Sequence, residues 1–193
     1  WDEVRDFFHY CDNYIDAVDR AAEHFAAQSQ DIRQTAVRAL RDEGITVHEL
    51  DRTELRNFDR ETRTLTLSTR ASLGTRNFQL LLQLALLKQG KLIDATLDLA
   101  RFHSAEARTI AKIGLANYFA GAALMPYTAF LAAARETRHD LEMLARRFGA
   151  SIEQVAHRLS TLQRPGAKGV PFFFVRVDQA GTITKRHSAT RLQ

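Results

Sequence analysis

Apolar side chains recur every three or four residues along most of the chain, the mark of helices that each bury one face. Val4, Phe7, Cys11, Tyr14, Val18, Ala21, Ala22 and Phe25 trace such a face through residues 1–28, as one long helix or two joined near Asn13. A further helix over 32–42 stops at Gly44, a residue suited to the left-handed turn that ends helices. The period then changes. Ile45, Val47 and Leu50 begin strands, and 55–58 with 64–67 reads as a hairpin turning at Asp59 and Arg60. Residues 76–87, capped by Ser72 or Thr75, are apolar almost all round, which predicts a buried helix. Helices over 92–100 and 105–124 follow, and Pro126 forbids carrying the last one further. Ala116, Ala120, Gly121 and Ala122 let a neighbouring helix approach closely and predict room beside Tyr118 and Phe119.

Residues 140–162 hold the spacing of a helix-turn-helix: Ala145 where the helices cross, Gly149 in the turn, Ser151 as cap and Val155 packing the second helix. Glu153, Gln154, His157 and Arg158 then fall on the surface of that helix as candidate groove readers, although an acid at its start suits phosphates poorly. Such a pair also arises as plain packing. Beyond Gln163 a loop, RPGAKG, leads to a strand over 170–177, a turn over 178–181 and a returning strand over 182–186. Phe172 and Phe174 face one way and Phe173 and Val175 the other, so the hairpin is predicted to be covered on both sides. The fold class is α+β and predominantly helical. It divides into a leading helical segment (1–30), a core (31–139), the helix-turn-helix-like pair (140–163) and the aromatic hairpin (164–193).

Composition narrows the picture. The chain has 193 residues and 45% hydrophobic side chains, enough for one large domain with a real core. No apolar run reaches the roughly 18 residues of a membrane span, so no membrane partner is expected. A single cysteine, Cys11, excludes an internal disulfide and suits a reducing cytoplasm. The net charge of +4, from 27 basic and 23 acidic side chains, permits an anionic partner without requiring one. The chain opens at Trp1 and closes at Gln193 with no terminating element, and reads as a piece of a longer protein.

The segment ANYFAGAALMP, residues 116–126, resembles the A-N-x-F-A-x-x-L-L-M-P segment of the ImmA/IrrE family, zinc peptidases of zincin-like fold often found in gene regulation. An earlier helix of that family reads F-T-x-A-H-E-L-G-H. With its Phe set on Phe78, Leu82 and Leu86 stand where the zinc-binding histidines belong, and Gln83 where the catalytic glutamate belongs. Histidines at i and i+4 share a helix face and hold zinc, while the glutamate activates the bound water. Leucine offers no lone pair and glutamine is no base near neutral pH. No acid lies between Ala107 and Leu115 to supply a third ligand. No catalytic or metal role is expected, and a former cleft that is apolar with an amide at its centre suits a bound small molecule.

The tail RLSTLQRPGAKGVPFFFVRVDQAGTITKRHSAT, taken with these two segments, resembles the short-chain fatty acyl-CoA regulators, most closely the mycobacterial-type regulators of propionate catabolism and the methylcitrate cycle. That resemblance implies a sensor of coenzyme A or short acyl-CoA, not an enzyme. It also implies an upstream Xre-type DNA-binding domain and a cysteine-bearing region holding an iron–sulfur cluster, both outside these residues. Coenzyme A phosphates call for guanidinium or ammonium groups. Arg76 at a helix start, Arg158, Lys185 and Arg186 are the candidates, with Arg164 and Lys168 nearby. Tyr118, Phe172 or Phe174 would stack adenine, Phe78 joins the contact set, and Gln83 and Asn117 would meet the pantetheine amides. Gln83 is alternatively a core amide bonded to a backbone carbonyl, Asn117 a backbone bridge, and each cation a solvated charge. A homo-oligomer, dimer or tetramer, is expected to transmit occupancy through the first helix and last hairpin. The rival readings are a DNA-binding module acting through 140–162 and a residual metallopeptidase.

Overall fold

The computed structural model describes residues 2–170 together with the backbone of 173–177 and 183–188. Helix α1 (Asp2–Tyr10) is separated from α2 (Asp16–Ala27) at Asp12 and Asn13, whose φ angles of 53° and 61° are left-handed. The leading apolar face therefore breaks near Asn13. Helix α3 (Ile32–Asp42) starts at Asp31, whose carboxylate accepts the Gln34 N–H, and Gly44 beyond its end has φ 78°.

Strands β1 (Thr46–Leu50), β2 (Arg56–Asp59) and β3 (Thr64–Ser68) form a sheet in the order β1-β3-β2. β2 and β3 make the expected antiparallel hairpin, and β1 joins β3 in parallel, a pairing the sequence pattern did not specify. The central place goes to the strand with the most apolar inward face: Leu65 and Leu67 are fully buried, whereas β1 and β2 only alternate between partial burial and exposure.

Helix α4 (Leu73–Lys88) is capped by Ser72, and α5 (Gly90–Ala100) and α6 (Ala105–Leu124) follow. α4 and α6 pack together, bringing Leu80, Leu81, Leu84 and Ala85 into one core with Leu115, Ala116, Phe119 and Ala123. The small residues of α6 thus serve close helix packing. The room expected beside Tyr118 and Phe119 is absent, since both rings are buried in that packing. α2 lies on α6 as well, and α1 crosses it at Gly114, where an added Cβ would sit 3.3 Å from the Phe8 ring.

α6 ends at Leu124, as Pro126 demands, but Pro126 also opens α7 (Tyr127–Glu136), a helix with no counterpart among the sequence expectations. A proline lacks only the N–H that a helix start leaves unpaired, so one residue both stops and starts a helix. α8 (Leu141–Phe148) and α9 (Ile152–Ser160) form the expected pair: Gly149 is left-handed, Ser151 and Gln154 make a capping box, and Val155 is fully buried. β4 (Phe173–Val177) and β5 (Ile183–Ser188) pair antiparallel. The expected turn over 178–181, Phe172, and the side chains of Phe174, Lys185 and Arg186 lie outside the described residues.

The helix pair is seated on α4. Asn77 Nδ2 donates to the Gly149 carbonyl at 3.1 Å, and a Cβ on Gly74 would stand 2.6 Å from the Ala150 carbonyl carbon and 2.7 Å from the Ser151 nitrogen. Those atoms are backbone and cannot swing aside. Gly74→Ala is therefore expected to cost about 1–3 kcal/mol in urea unfolding. Gly90→Ala, with nothing within 4 Å, should be neutral or stabilising by up to about 1 kcal/mol.

Candidate functional site

An acid sits on the apolar face of α2, at Asp19 beside Val18 and Ala22, and the rest of the interior answers it. Asp19 is 0% exposed and Arg158 of α9 is 2% exposed; the guanidinium holds both carboxylate oxygens, at 2.7 and 3.1 Å. Arg164 adds a contact at 3.4 Å, and the Tyr118 hydroxyl donates to Asp19 Oδ2 at 2.6 Å while accepting the Ile15 N–H at 3.1 Å. Arg158 Nε donates to the Met125 carbonyl at 2.9 Å. Arg164 Nε donates to the Tyr14 hydroxyl at 2.6 Å, and its guanidinium lies 4.1 Å from the Tyr127 ring centre. Burial, the largest single influence, would lower the Arg158 pKa, but the charge and hydrogen bonds of Asp19 together with Tyr118 outweigh it and the net shift is upward. Burial, then the Asp19 charge, raises the Tyr118 phenol well above its ordinary value, so it remains a donor.

This cluster corrects three expectations. Arg158 is not on the surface of α9, Tyr118 offers no face to a ligand, and Arg164 is buried among α2, α7 and their neighbours. All three are structural groups joining distant parts of the chain. With Arg158 turned inward, and Gln154 committed to the cap and reaching the Gly74 carbonyl at 3.5 Å, α9 shows solvent mainly Ile152, Glu153 and His157. That face is a poor reader of an anionic groove.

The second polar assembly runs along the face of α4 toward the sheet. Arg76 Nη1 meets Glu49 Oε1 of β1 at 3.2 Å, and its Nε donates to the Ala71 carbonyl at 3.2 Å. Arg33 of α3 also pairs with Glu49 and donates to Asn77 Oδ1 at 2.9 Å. Burial pushes the Glu49 carboxyl up, but hydrogen bonds and charge from Arg33, then Arg76, outweigh it and hold the carboxyl below the ordinary glutamate range. Two turns along, Gln83 is buried and its Oε1 accepts from Arg56 Nη2 of β2. Of the two sequence alternatives for Gln83, the bond to a backbone carbonyl is not the contact seen here: its oxygen is held by a side chain, and one that sequence reasoning passed over. Burial lowers the Arg56 pKa, yet the guanidinium stays charged near neutrality.

The remaining candidates separate. Leu82 is buried and Leu86 partly exposed on α4. Phe78 is half-buried against the core, its ring over Gly121 of α6. Asn117 Nδ2 donates to the Ile113 carbonyl at 2.9 Å, bridging its own helix backbone. Lys168 is exposed. Cys11 lies half-buried, with burial and then the Asp12 charge raising its thiol pKa, which suits an unreactive side chain. A surface depression of about 380 Å³ on α3 is lined by Asp31, Arg33, Gln34, Val37, Arg38 and Arg41, a basic setting. Among the described residues no group of three or more His, Cys, Asp or Glu side chains is placed to hold a metal ion, and no helix is long and apolar enough to cross a membrane.

Helices folded over a small mixed sheet, with leucines and a glutamine along the buried helix, define the class, and the chain belongs to the IrrE N-terminal-like domain family, whose model matches residues 40–160. Residues 161–193 match the model of the short-chain fatty acyl coenzyme A regulator C-terminal region. Over 196 residues the chain is 69% identical to the "Propionyl-CoA carboxylase regulator" of Cereibacter sphaeroides, covering 100% of this chain and 42% of that protein. It is 46% identical over 200 residues to the "HTH-type transcriptional regulator PrpR" of Mycobacterium tuberculosis, covering 98% of this chain and 41% of the relative. A solved structure described as a Mycobacterium tuberculosis transcriptional regulator superposes with a TM-score of 0.90 at 45% identity, over 98% of this chain and 60% of its own. The chain thus spans about two-fifths of the length of these curated relatives.

Asp19→Asn would leave two guanidinium groups facing a neutral amide in the interior, an expected loss of about 3–5 kcal/mol in urea unfolding. Adding Arg158→Met should cost less than the sum of the single changes, because each single change strands the other charge. Glu49 has the sign of a depressed carboxyl: its contribution is present above the unfolded value of about 4.3 and lost as pH falls through its lower folded value. Glu49→Gln should therefore flatten part of the stability decline below about pH 4.3, read by chemical unfolding across pH.

Proposed function

We propose that this chain is the ligand-sensing region of a transcription regulator of propionate and short-chain fatty acid metabolism, and that its ligand is coenzyme A or a short-chain acyl-CoA. The observation that carries the reading is α4, where the resemblance places a metal-binding helix and where Leu82, Gln83 and Leu86 stand with Gln83 held by Arg56. A helix without metal donors, kept in a family scaffold and joined to a tail matching acyl coenzyme A regulators, fits recognition better than hydrolysis. The names of the relatives support the same reading. Exposed basic side chains at Arg38 and Arg41 give a phosphate-bearing ligand an electropositive approach.

On this reading, DNA binding and the iron–sulfur cluster belong to parts of the protein outside these residues, and the protein acts in the cytoplasm. The division into a leading segment, a sensing core over 31–139, a helix pair over 140–163 and a hairpin over 164–193 belongs to the same proposal. So does a homo-oligomer, for which Tyr10 (78% exposed) and Leu99 (85% exposed) offer apolar surface. Ligand can act on DNA only through a difference in affinity for two arrangements of that assembly.

The test is unfolding of the protein with coenzyme A, propionyl-CoA, or ATP as an anionic control. A ligand that binds only the folded state should add about 2.7 kcal/mol at a hundred times its dissociation constant. Stabilisation by the two CoA species and not by ATP supports the reading. No response to either sinks it.

A further inference from the structure

Six arginines of the described residues are buried or half-buried: Arg33, Arg56, Arg76, Arg108, Arg158 and Arg164. Five have a carboxylate within ion-pair distance: Arg33 and Arg76 share Glu49, Arg108 has Asp94 and Asp98, Arg158 has Asp19, and Arg164 has Asp19 and Glu23. Arg56 has none among the described residues, and the one hydrogen-bond partner of its guanidinium among them is the neutral Gln83 amide. A partly desolvated guanidinium without a counter-charge is costly, and the other five arginines avoid it. A second irregularity lies one helical turn away. Gln79, on the same side of α4 as Gln83 by its i, i+4 spacing, has its side-chain Oε1 buried with no hydrogen-bond donor. A buried acceptor left unpaired calls for an explanation, and a ligand donor supplies one.

We infer that Arg56, oriented by Gln83, receives an oxyanion of a small-molecule ligand, and that Gln79 accepts a hydrogen bond from a donor group of the same ligand. The guanidinium fork suits a phosphate or carboxylate oxygen pair, and one donor bonded to Gln83 leaves others free for it. That the anion belongs to an acyl-CoA rests on the functional reading above; the anion site itself does not. Arg56 takes the role that sequence analysis gave to Arg76 and Arg158, which are already paired with Glu49 and Asp19.

The test is calorimetric titration of the wild-type protein, Arg56→Met, Gln83→Glu and Gln79→Met with coenzyme A, propionyl-CoA, pantetheine, inorganic pyrophosphate and propionate. Arg56→Met should weaken binding of the anionic ligand about 10- to 100-fold. Gln83→Glu is the folding control: it gives Arg56 the internal carboxylate the other five possess, so Tm should hold or rise while affinity falls by a similar factor. Gln79→Met should weaken a donor-bearing ligand and leave pyrophosphate unaffected. Coenzyme A binding without pantetheine binding assigns a phosphate to Arg56, and propionate binding lost in Arg56→Met assigns a carboxylate. Pyrophosphate or propionate binding that depends on Arg56, with no binding of either CoA species, upholds the anion site and sinks the acyl-CoA reading. Propionyl-CoA binding unchanged in both Arg56→Met and Gln83→Glu overturns the anion site and leaves that reading standing. A wild-type protein that binds none of the anions overturns it as well.

Discussion

A fully buried carboxylate, Asp19, sets the terms for everything packed around it. Taking one acid and two guanidinium groups out of water costs several kcal/mol per ion, recovered only when geometry and hydrogen bonds are complete. Here they are: Asp19 is met by both forks of Arg158, by Arg164 and by the Tyr118 hydroxyl, and the remaining donors of Arg158 find Met125 and Thr161. Such a cluster contributes less to net stability than to uniqueness, because any other seating of α2, α6, α9 or the loop after α9 strands a charge. It also removes Arg158 and Tyr118 from ligand chemistry and moves the candidate site to the far side of α6, onto α4 and the sheet.

The sheet side is arranged on the opposite principle. Glu49 pairs with both Arg33 and Arg76, Asn77 ties α3 to the turn of the helix pair, and the polar column continues to Gln83 and Arg56, where no carboxylate faces the guanidinium among the described residues. Where the resemblance places a glutamate and two histidines, there is an amide between two leucines. A carboxylate at 83 would satisfy Arg56 internally. The amide keeps the guanidinium in place through one hydrogen bond without cancelling its charge.

Much of the fold was legible in the sequence. α3 begins and ends where its apolar period and Gly44 require, the leading face breaks near Asn13, and the Ser151 cap and left-handed Gly149 were readable from residue type alone. Helix α7 was not, because it opens on Pro126 with no Ser, Thr, Asp or Asn to announce it. The parallel entry of β1 was hidden for a different reason: alternation shows which face a strand buries, not which neighbour it takes. Of the site, the altered zinc helix and the buried amide were legible, but Arg56 was not, since its meaning depends on what fails to accompany it in space. Arg158 misled because its true partner lies 139 residues away. The missed signal was Asp19 itself, an acid on the apolar stripe of α2.

α4 belongs to both halves of the molecule, and this gives the proposed ligand a mechanical route. Its N-terminal turn is wedged against the α8–α9 turn at Gly74 and held there by Asn77, while its middle carries Gln83 under Arg56. A packed helix moves as a rigid piece, and its backbone at Gly74 already stands closer to Ala150 and Ser151 than a side chain would permit. A ligand that draws Arg56 toward its own anion changes the only polar tie between β2 and α4 among the described residues. A shift of α4 reaches the helix pair directly through Gly74 and Asn77, and that pair is anchored on its other side through Arg158 to Asp19. The two polar assemblies thus have complementary parts in the proposed sensor: one charge cluster closed so that it holds a frame, and one left open so that a ligand has something to complete.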